Sequence, residues 1–206
     1  MGRIVVEVRG VPLELHPSPD YLSDHIRRTG DFYEADILDY LAVKLRDVVG
    51  VAVDAGAMIG NHAAYLGAFL PFLEVHAFEP EPENYRLLQC NAPKATTHRV
   101  ALSDHEGYGS LYNHDHANLG HWQISTEVIH PVIIMRRLDQ YALRDVRLIK
   151  LDVEGHEPQV LKGAEQTIAR WKPLLLVEDW DGGMHIPGYH AAMAWPSQQT
   201  YLYEPD

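Results

Sequence analysis

Chemistry-bearing residues fall in a few short stretches of this chain. One reads Val53-Asp54-Ala55-Gly56-Ala57-Met58-Ile59-Gly60-Asn61, a D-x-G-x-x-x-G pattern. Gly56 permits a tight turn, and Gly60 allows the backbone to approach a ligand closely. The dinucleotide fingerprint differs: G-x-G-x-x-G cradles a pyrophosphate. Here Asp54 leads, which suits a ligand carrying an amine. A pair of turn glycines in an ordinary α/β protein would look the same. The next stretch is Ala77-Phe78-Glu79-Pro80. A carboxylate such as Glu79 at a strand end can accept both hydroxyls of a ribose. In Leu102-Ser103-Asp104, the polar pair can bond an adenine edge while Leu102 packs on the ring, although Ser-Asp is also common turn chemistry.

The densest stretch is Lys150-Leu151-Asp152-Val153-Glu154-Gly155-His156-Glu157. Strand residues alternate faces, so Lys150 and Asp152 share one side. A charged pair entering a sheet is rare unless paired or functional. Glu157 is explained by a helix N-terminus. Asp152 and His156 are candidate bases, with Lys150 orienting or stabilising an oxyanion. Glu178 and Asp179 follow another apolar run. With Asp152 they make a weak candidate site for Mg²⁺, against the alternative of a solvated acidic edge. His114-x-His116 with His121 has spacing that a transition metal accepts. Thirteen histidines make chance clusters common, so a loop over the acceptor site is the preferred expectation.

These residues need strands and helices to present them. Apolar runs at Gly50–Asp54, Leu73–Phe78, Thr96–Ala101, Val146–Leu151 and Pro173–Val177 predict strands. Helical spacing covers Asp36–Arg46, Asn61–Leu70, Pro82–Gln89 and Pro158–Arg170. Asn61 is the expected N-cap of its helix. The alternation predicts a doubly wound, mostly parallel sheet with helices on both faces. Ligands then bind beyond the carboxyl ends of the strands. A small N-terminal hairpin around Gly10 and a Pro-containing connector fill residues 1–30. The core takes 31–180, and 181–206 form a short C-terminal segment in which Tyr201-Leu202-Tyr203 make an edge strand. Residues 111–138 break the pattern and suggest a loop plus an extra strand.

Length and composition bound the function. The chain has 206 residues, enough for one domain with a sizeable core. Lys+Arg is 17 against Asp+Glu 29, a net charge of −12 that disfavours nucleic acids and anionic membranes. The single cysteine, Cys90, excludes an internal disulfide framework. The N-terminal apolar run is broken by Glu7 and Arg9, so no signal-peptide core is expected. A cytoplasmic location follows as an expectation.

Taken in order, these segments resemble the FkbM-type methyltransferases of the class I S-adenosylmethionine-dependent fold. The resemblance runs from about Asp31 to Asp179. It rests on the glycine motif with His62, Ala77-Phe78-Glu79-Pro80 followed by Asn84 and Asn91, Val100–Asp104, and Ile149–Glu157 with Val160-Leu161-Lys162-Gly163-Ala164. Met58 departs from it, standing where the family usually has Asn. The resemblance implies S-adenosylmethionine as methyl donor and an oxygen acceptor on a small molecule or glycan. By position, Gly56, Ala57 and Gly60 would line its methionine end, Glu79 would hold the ribose, and Ser103 would sit by the adenine. Asp54, Asn61, Pro80, Leu102 and Asp152 complete the expected cofactor site. Tyr33 or Glu34, in the family-like segment Asp31–Glu34, would close over it. A non-catalytic nucleoside-binding module of the same fold is the competing expectation. An NAD-dependent oxidoreductase is disfavoured by the missing dinucleotide fingerprint.

Overall fold

The computed structural model describes residues 4–17, 20–113, 122–125, 127 and 132–206. The chain opens with a hairpin, β1 (Ile4–Val8) and β2 (Val11–Leu15). Its two-residue turn places Arg9 at φ 49 and Gly10 at φ 82, the left-handed pair that a tight hairpin prefers. The expected connector holds a helix, α1 (Tyr21–Thr29). Asp20 caps it by accepting from the Ser23 N–H, and Gly30 ends it at φ 68. Its apolar residues are few, but Leu22 and Ile26 share one buried face, so both this spacing and the cap residues marked a helix that the connector reading passed over.

The alternating core follows: α2 (Ala35–Lys44), β3 (Gly50–Ala55), α3 (Asn61–Phe69), β4 (Leu73–Phe78), α4 (Pro82–Asn91) and β5 (Thr96–His98). Next come β6 (Ala101–Leu102), β7 (Gly107–Tyr112), β8 (Gln123–Ser125) and β9 (Val132–Arg136). The chain closes with β10 (Val146–Leu151), α5 (Glu157–Gly163), α6 (Glu165–Trp171), β11 (Leu174–Glu178), β12 (Tyr189–Trp195) and β13 (Thr200–Pro205).

The main sheet has seven strands in the order β12-β13-β11-β10-β3-β4-β5. The five from β5 to β11 are parallel, while β13 runs antiparallel to both its neighbours. This is the expected doubly wound α/β class. The chain winds outward from β3 and later returns on its other side to β10. That reversal opens a crevice beyond the carboxyl ends of β3 and β10. One apolar cluster, with Ile37, Leu66 and Leu87, packs beneath the hairpin and α2–α4. Another, with Val53, Ile149 and Val160, lies under α5 and α6.

Four details differ from expectation. The third strand stops at His98, and Ala101–Leu102 joins a separate four-stranded sheet, β6-β9-β7-β8. Gly60, at φ 90, caps α3, so Asn61 is its first helical residue. The expected helix over 158–170 is two helices broken at Ala164, with Asp139 accepting from the N–H groups of Gln166 and Thr167 at the start of α6. In the tail, β13 is interior and β12 takes the edge. Residues 114–121, with the three histidines of the candidate loop, lie outside the described residues. Among the described residues no helix is long and apolar enough to cross a membrane.

Candidate functional site

A cleft of about 1010 Å³, open mouth included, lies at the β3/β10 reversal. Backbone packing builds its floor. Gly56 sits at φ 76, and a Cβ there would come within 1.7 Å of the Asp152 carbonyl oxygen. Only glycine fits. The Gly56 and Ala57 N–H groups both donate to the Phe78 carbonyl, tying the β3 turn to the end of β4. Gly60 has a different reason. A Cβ there would meet Leu88 of α4 at 2.9 Å, so it serves helix packing and does not line the cleft.

Lys150 anchors the centre. Its side chain is 5% exposed, and Nζ lies 3.2 Å from Asp54, 3.1 Å from Asp152 and 2.9 Å from the Gly56 carbonyl oxygen. The Gly56 carbonyl accepts a hydrogen bond from Nζ, while Asp54 meets the ammonium as an ion pair and its oxygens have no hydrogen-bond partner among the described residues. Burial alone would lower its pKa, but the Asp152 and Asp54 carboxylates outweigh burial and keep the ammonium charged. Asp54 is fully buried. The amine it holds is therefore Lys150.

Asp152 turns outward and keeps 34% of its side chain exposed. Burial pushes its carboxyl up, yet the Lys150 ammonium holds it below the ordinary value. It shares a hydrogen bond with Glu178, whose carboxyl is driven well above the carboxylate range by burial and then by the Asp152 charge. One proton thus serves both groups. Glu154 completes the cluster: its oxygen and those of Asp152 and Glu178 lie within 4.8 Å of one another. Burial, with the Asp152 charge second, pushes Glu154 up to about 8. Asp179 is elsewhere. It accepts the Gly182, Gly183 and Met184 N–H groups and anchors a loop, so the third carboxylate of any metal set would be Glu154.

The far wall carries Glu79, 5% exposed. Its Oε2 accepts from the Met58 N–H at 2.9 Å and its Oε1 from the Glu81 N–H at 2.8 Å. Burial, only partly offset by these bonds, raises its pKa to about 7. Pro80 and Leu102 line the same wall. Ser103 does not: it is fully buried, and its Oγ lies 2.9 Å from His156 Nε2. Neither residue reaches the cleft. Burial lowers the His156 pKa, and the pair braces β6 against α5.

Tyr33 closes one side, held through its backbone by the Asn61 amide, which accepts from its N–H and donates to its carbonyl, both at 3.0 Å. A smaller pocket opens beside Asp152 and Glu178, with Glu34 and Thr200 on its wall. Sequence reasoning did not select Tyr21, His62, Glu154 or Trp122, all of which line the cleft. His62 follows the glycine motif and Glu154 lies inside the acidic run, so both had a local signal. Tyr21 and Trp122 had none, because tertiary folding brings them there.

The model of the "Methyltransferase FkbM domain" family matches residues 54–185. A search of curated proteins finds no match. Among solved structures, Methyltransferase FkbM from Methylobacillus flagellatus KT superposes with a TM-score of 0.57 at 23% identity, over 76% of this chain and 43% of that one. A methyltransferase from Geobacter sulfurreducens gives a TM-score of 0.51 at 11% identity, over 89% of this chain and 85% of that one. The chain spans less than half the length of the first, and at these identities the likeness is one of fold. Because the family model covers most of the sequence, the chain belongs to the FkbM methyltransferase family.

Proposed function

We propose that this chain transfers the methyl group of S-adenosylmethionine to a hydroxyl on a small molecule or sugar. The observation that carries this is the cleft at the sheet reversal, with Glu79 on one wall and the Asp152 cluster on the floor. Each Glu79 oxygen takes one backbone N–H and retains a lone pair. That pair of acceptors suits the two hydroxyls of a ribose. Pro80 and Leu102 offer apolar surface for a base, and Tyr33, Ala57 and Asn61 flank the opposite end. The acidic floor favours a cationic sulfonium.

When bound, the cofactor supplies an electrophilic methyl group. The protein's share is alignment, which at best removes roughly 7–11 kcal/mol of barrier. Asp152, kept ionised by Lys150, accepts a hydrogen bond from a neighbouring hydroxyl of the acceptor and so orients the reacting one. Glu34 borders the small adjoining pocket, next to Asp152. Asp152, Glu154 and Glu178 would be the holders of a Mg²⁺ ion, but Lys150 and the shared proton already balance much of their charge. We therefore expect activity to persist in EDTA. Loss of activity that Mg²⁺ restores would assign the cluster to a metal.

The test is methyl transfer to a panel of sugars, phenols and amines, with the product mapped by mass spectrometry and NMR. An O-methyl product is expected. An N-methyl product would overturn the acceptor assignment, and cofactor binding without any product would favour the non-catalytic module.

A further inference from the structure

His62 stands on the first turn of α3, on the cleft wall. Its side chain is 6% exposed, and Nε2 lies 3.1 Å from Glu34 Oε2, itself on a side chain 8% exposed. Nε2 is buried, and its contact with Glu34 is close in distance but not aligned as a hydrogen bond; it has no hydrogen-bond partner among the described residues. The second Glu34 oxygen accepts from the Thr200 hydroxyl at 3.4 Å. Glu34 also adopts φ 57, ψ 37, a left-handed conformation that is uncommon for a long side chain and concentrates at functional sites. A strained residue thus delivers a buried carboxylate to a buried imidazole.

The other ring nitrogen is left nearly free. Among the described residues Nδ1 meets only the Asn61 amide nitrogen, at 3.5 Å, the outer limit of a hydrogen bond. That amide already donates to the Tyr33 carbonyl. A carboxylate on one imidazole nitrogen fixes the tautomer and leaves the other as a base. Asp152, which orients the acceptor in the reading above, lines the same cleft as His62.

We propose that His62, positioned by Glu34, accepts the proton lost by the methyl acceptor. The proposal rests on the methyl-transfer reading. The acceptor oxygen forms its bond to the methyl carbon as the carbon–sulfur bond breaks, and that electron pair stays on sulfur. The O–H proton passes to Nδ1, and the resulting imidazolium is paired with Glu34. One positive charge disappears from sulfur and one appears on the ring, so the step balances.

The experiment combines nitrogen-15 NMR of histidine-labelled protein, titration with S-adenosylhomocysteine, and turnover on whichever panel compound is methylated. The His62 signal is identified by its loss in His62→Gln. We expect it to report the Nε2–H tautomer in the wild type and in Glu34→Gln, which keeps an acceptor, and a tautomer mixture in Glu34→Ala. His62→Gln should lower turnover by about 100-fold or more, while S-adenosylhomocysteine still binds. An unchanged tautomer in Glu34→Ala, or turnover of His62→Gln near the wild-type rate, would overturn the assignment of His62. No binding of S-adenosylhomocysteine by the wild type would instead overturn the methyl-transfer reading beneath it.

Discussion

At the scale of single residues, the buried charges matter most. Lys150 and Asp54 compensate each other in a space with almost no solvent. Replacing Lys150 with Met leaves Asp54 buried and unpaired, which costs about 3–5 kcal/mol. Chemical denaturation should show a loss of that size, and the double variant Asp54→Asn, Lys150→Met should recover part of it. A loss below about 1 kcal/mol would mean that the pair is not a stability element. The residue types at this site were legible. An apolar strand ending in Lys-x-Asp requires a partner, but the sequence reading gave Asp54 to a ligand amine, whereas it pairs with Lys150. Their roles were less legible, because direction depends on tertiary contacts. Asp54 and Asp179 turned toward protein groups, whereas Glu154 turned toward the cleft.

At the scale of elements, most of the alternating pattern was readable from apolar runs and glycines. It failed where an element owes its limits to a distant contact. Gly163 shows this. Inside an expected continuous helix it looks like a tolerated flaw, but a Cβ there would come within 1.9 Å of the Ser103 carbonyl oxygen. Gly163 therefore sets how closely α5 approaches the end of β6. Gly163→Ala must push these apart, moving Leu102 on the cleft wall. We expect a stability loss of roughly 1–3 kcal/mol together with weaker cofactor binding. Wild-type values for both would show that α5 does not position this wall. The split of the last strand pair was unreadable for a related reason: β13 becomes interior only because β12 pairs with its far edge.

At the scale of the whole molecule, the N-terminal hairpin and α1 are part of the core. Val8, Leu13 and Ile26 are fully buried. Asn91 accepts from the Glu14 N–H and donates to the Glu14 and Ile59 carbonyls, and Asn84 meets His16 at 2.7 Å. The two asparagines that follow the Glu79 motif thus lock β2 to α4 and to the glycine loop. Sequence alone placed these asparagines in the family pattern but could not show what they hold. Deleting residues 1–30 should lower the melting temperature by roughly 10 °C or more and remove Tyr21 and Leu22 from the cleft wall. A deletion variant with the wild-type melting temperature would mean that the hairpin is only an appendage.

The central claim is that the cleft binds an adenosyl cofactor through Glu79. Calorimetric titration with S-adenosylhomocysteine, on the wild type and on Glu79→Ala matched for folding by circular dichroism, tests it most directly. The Glu79 carboxyl titrates near 7 because it is buried, and its ionised form is the better acceptor for two hydroxyls. Lowering the pH protonates it, so affinity should weaken roughly tenfold from about pH 8 to about pH 6. The account predicts a roughly micromolar dissociation constant with that pH dependence, and loss of binding in Glu79→Ala. Absence of binding by the folded wild type, or equal affinity in the variant, would contradict it.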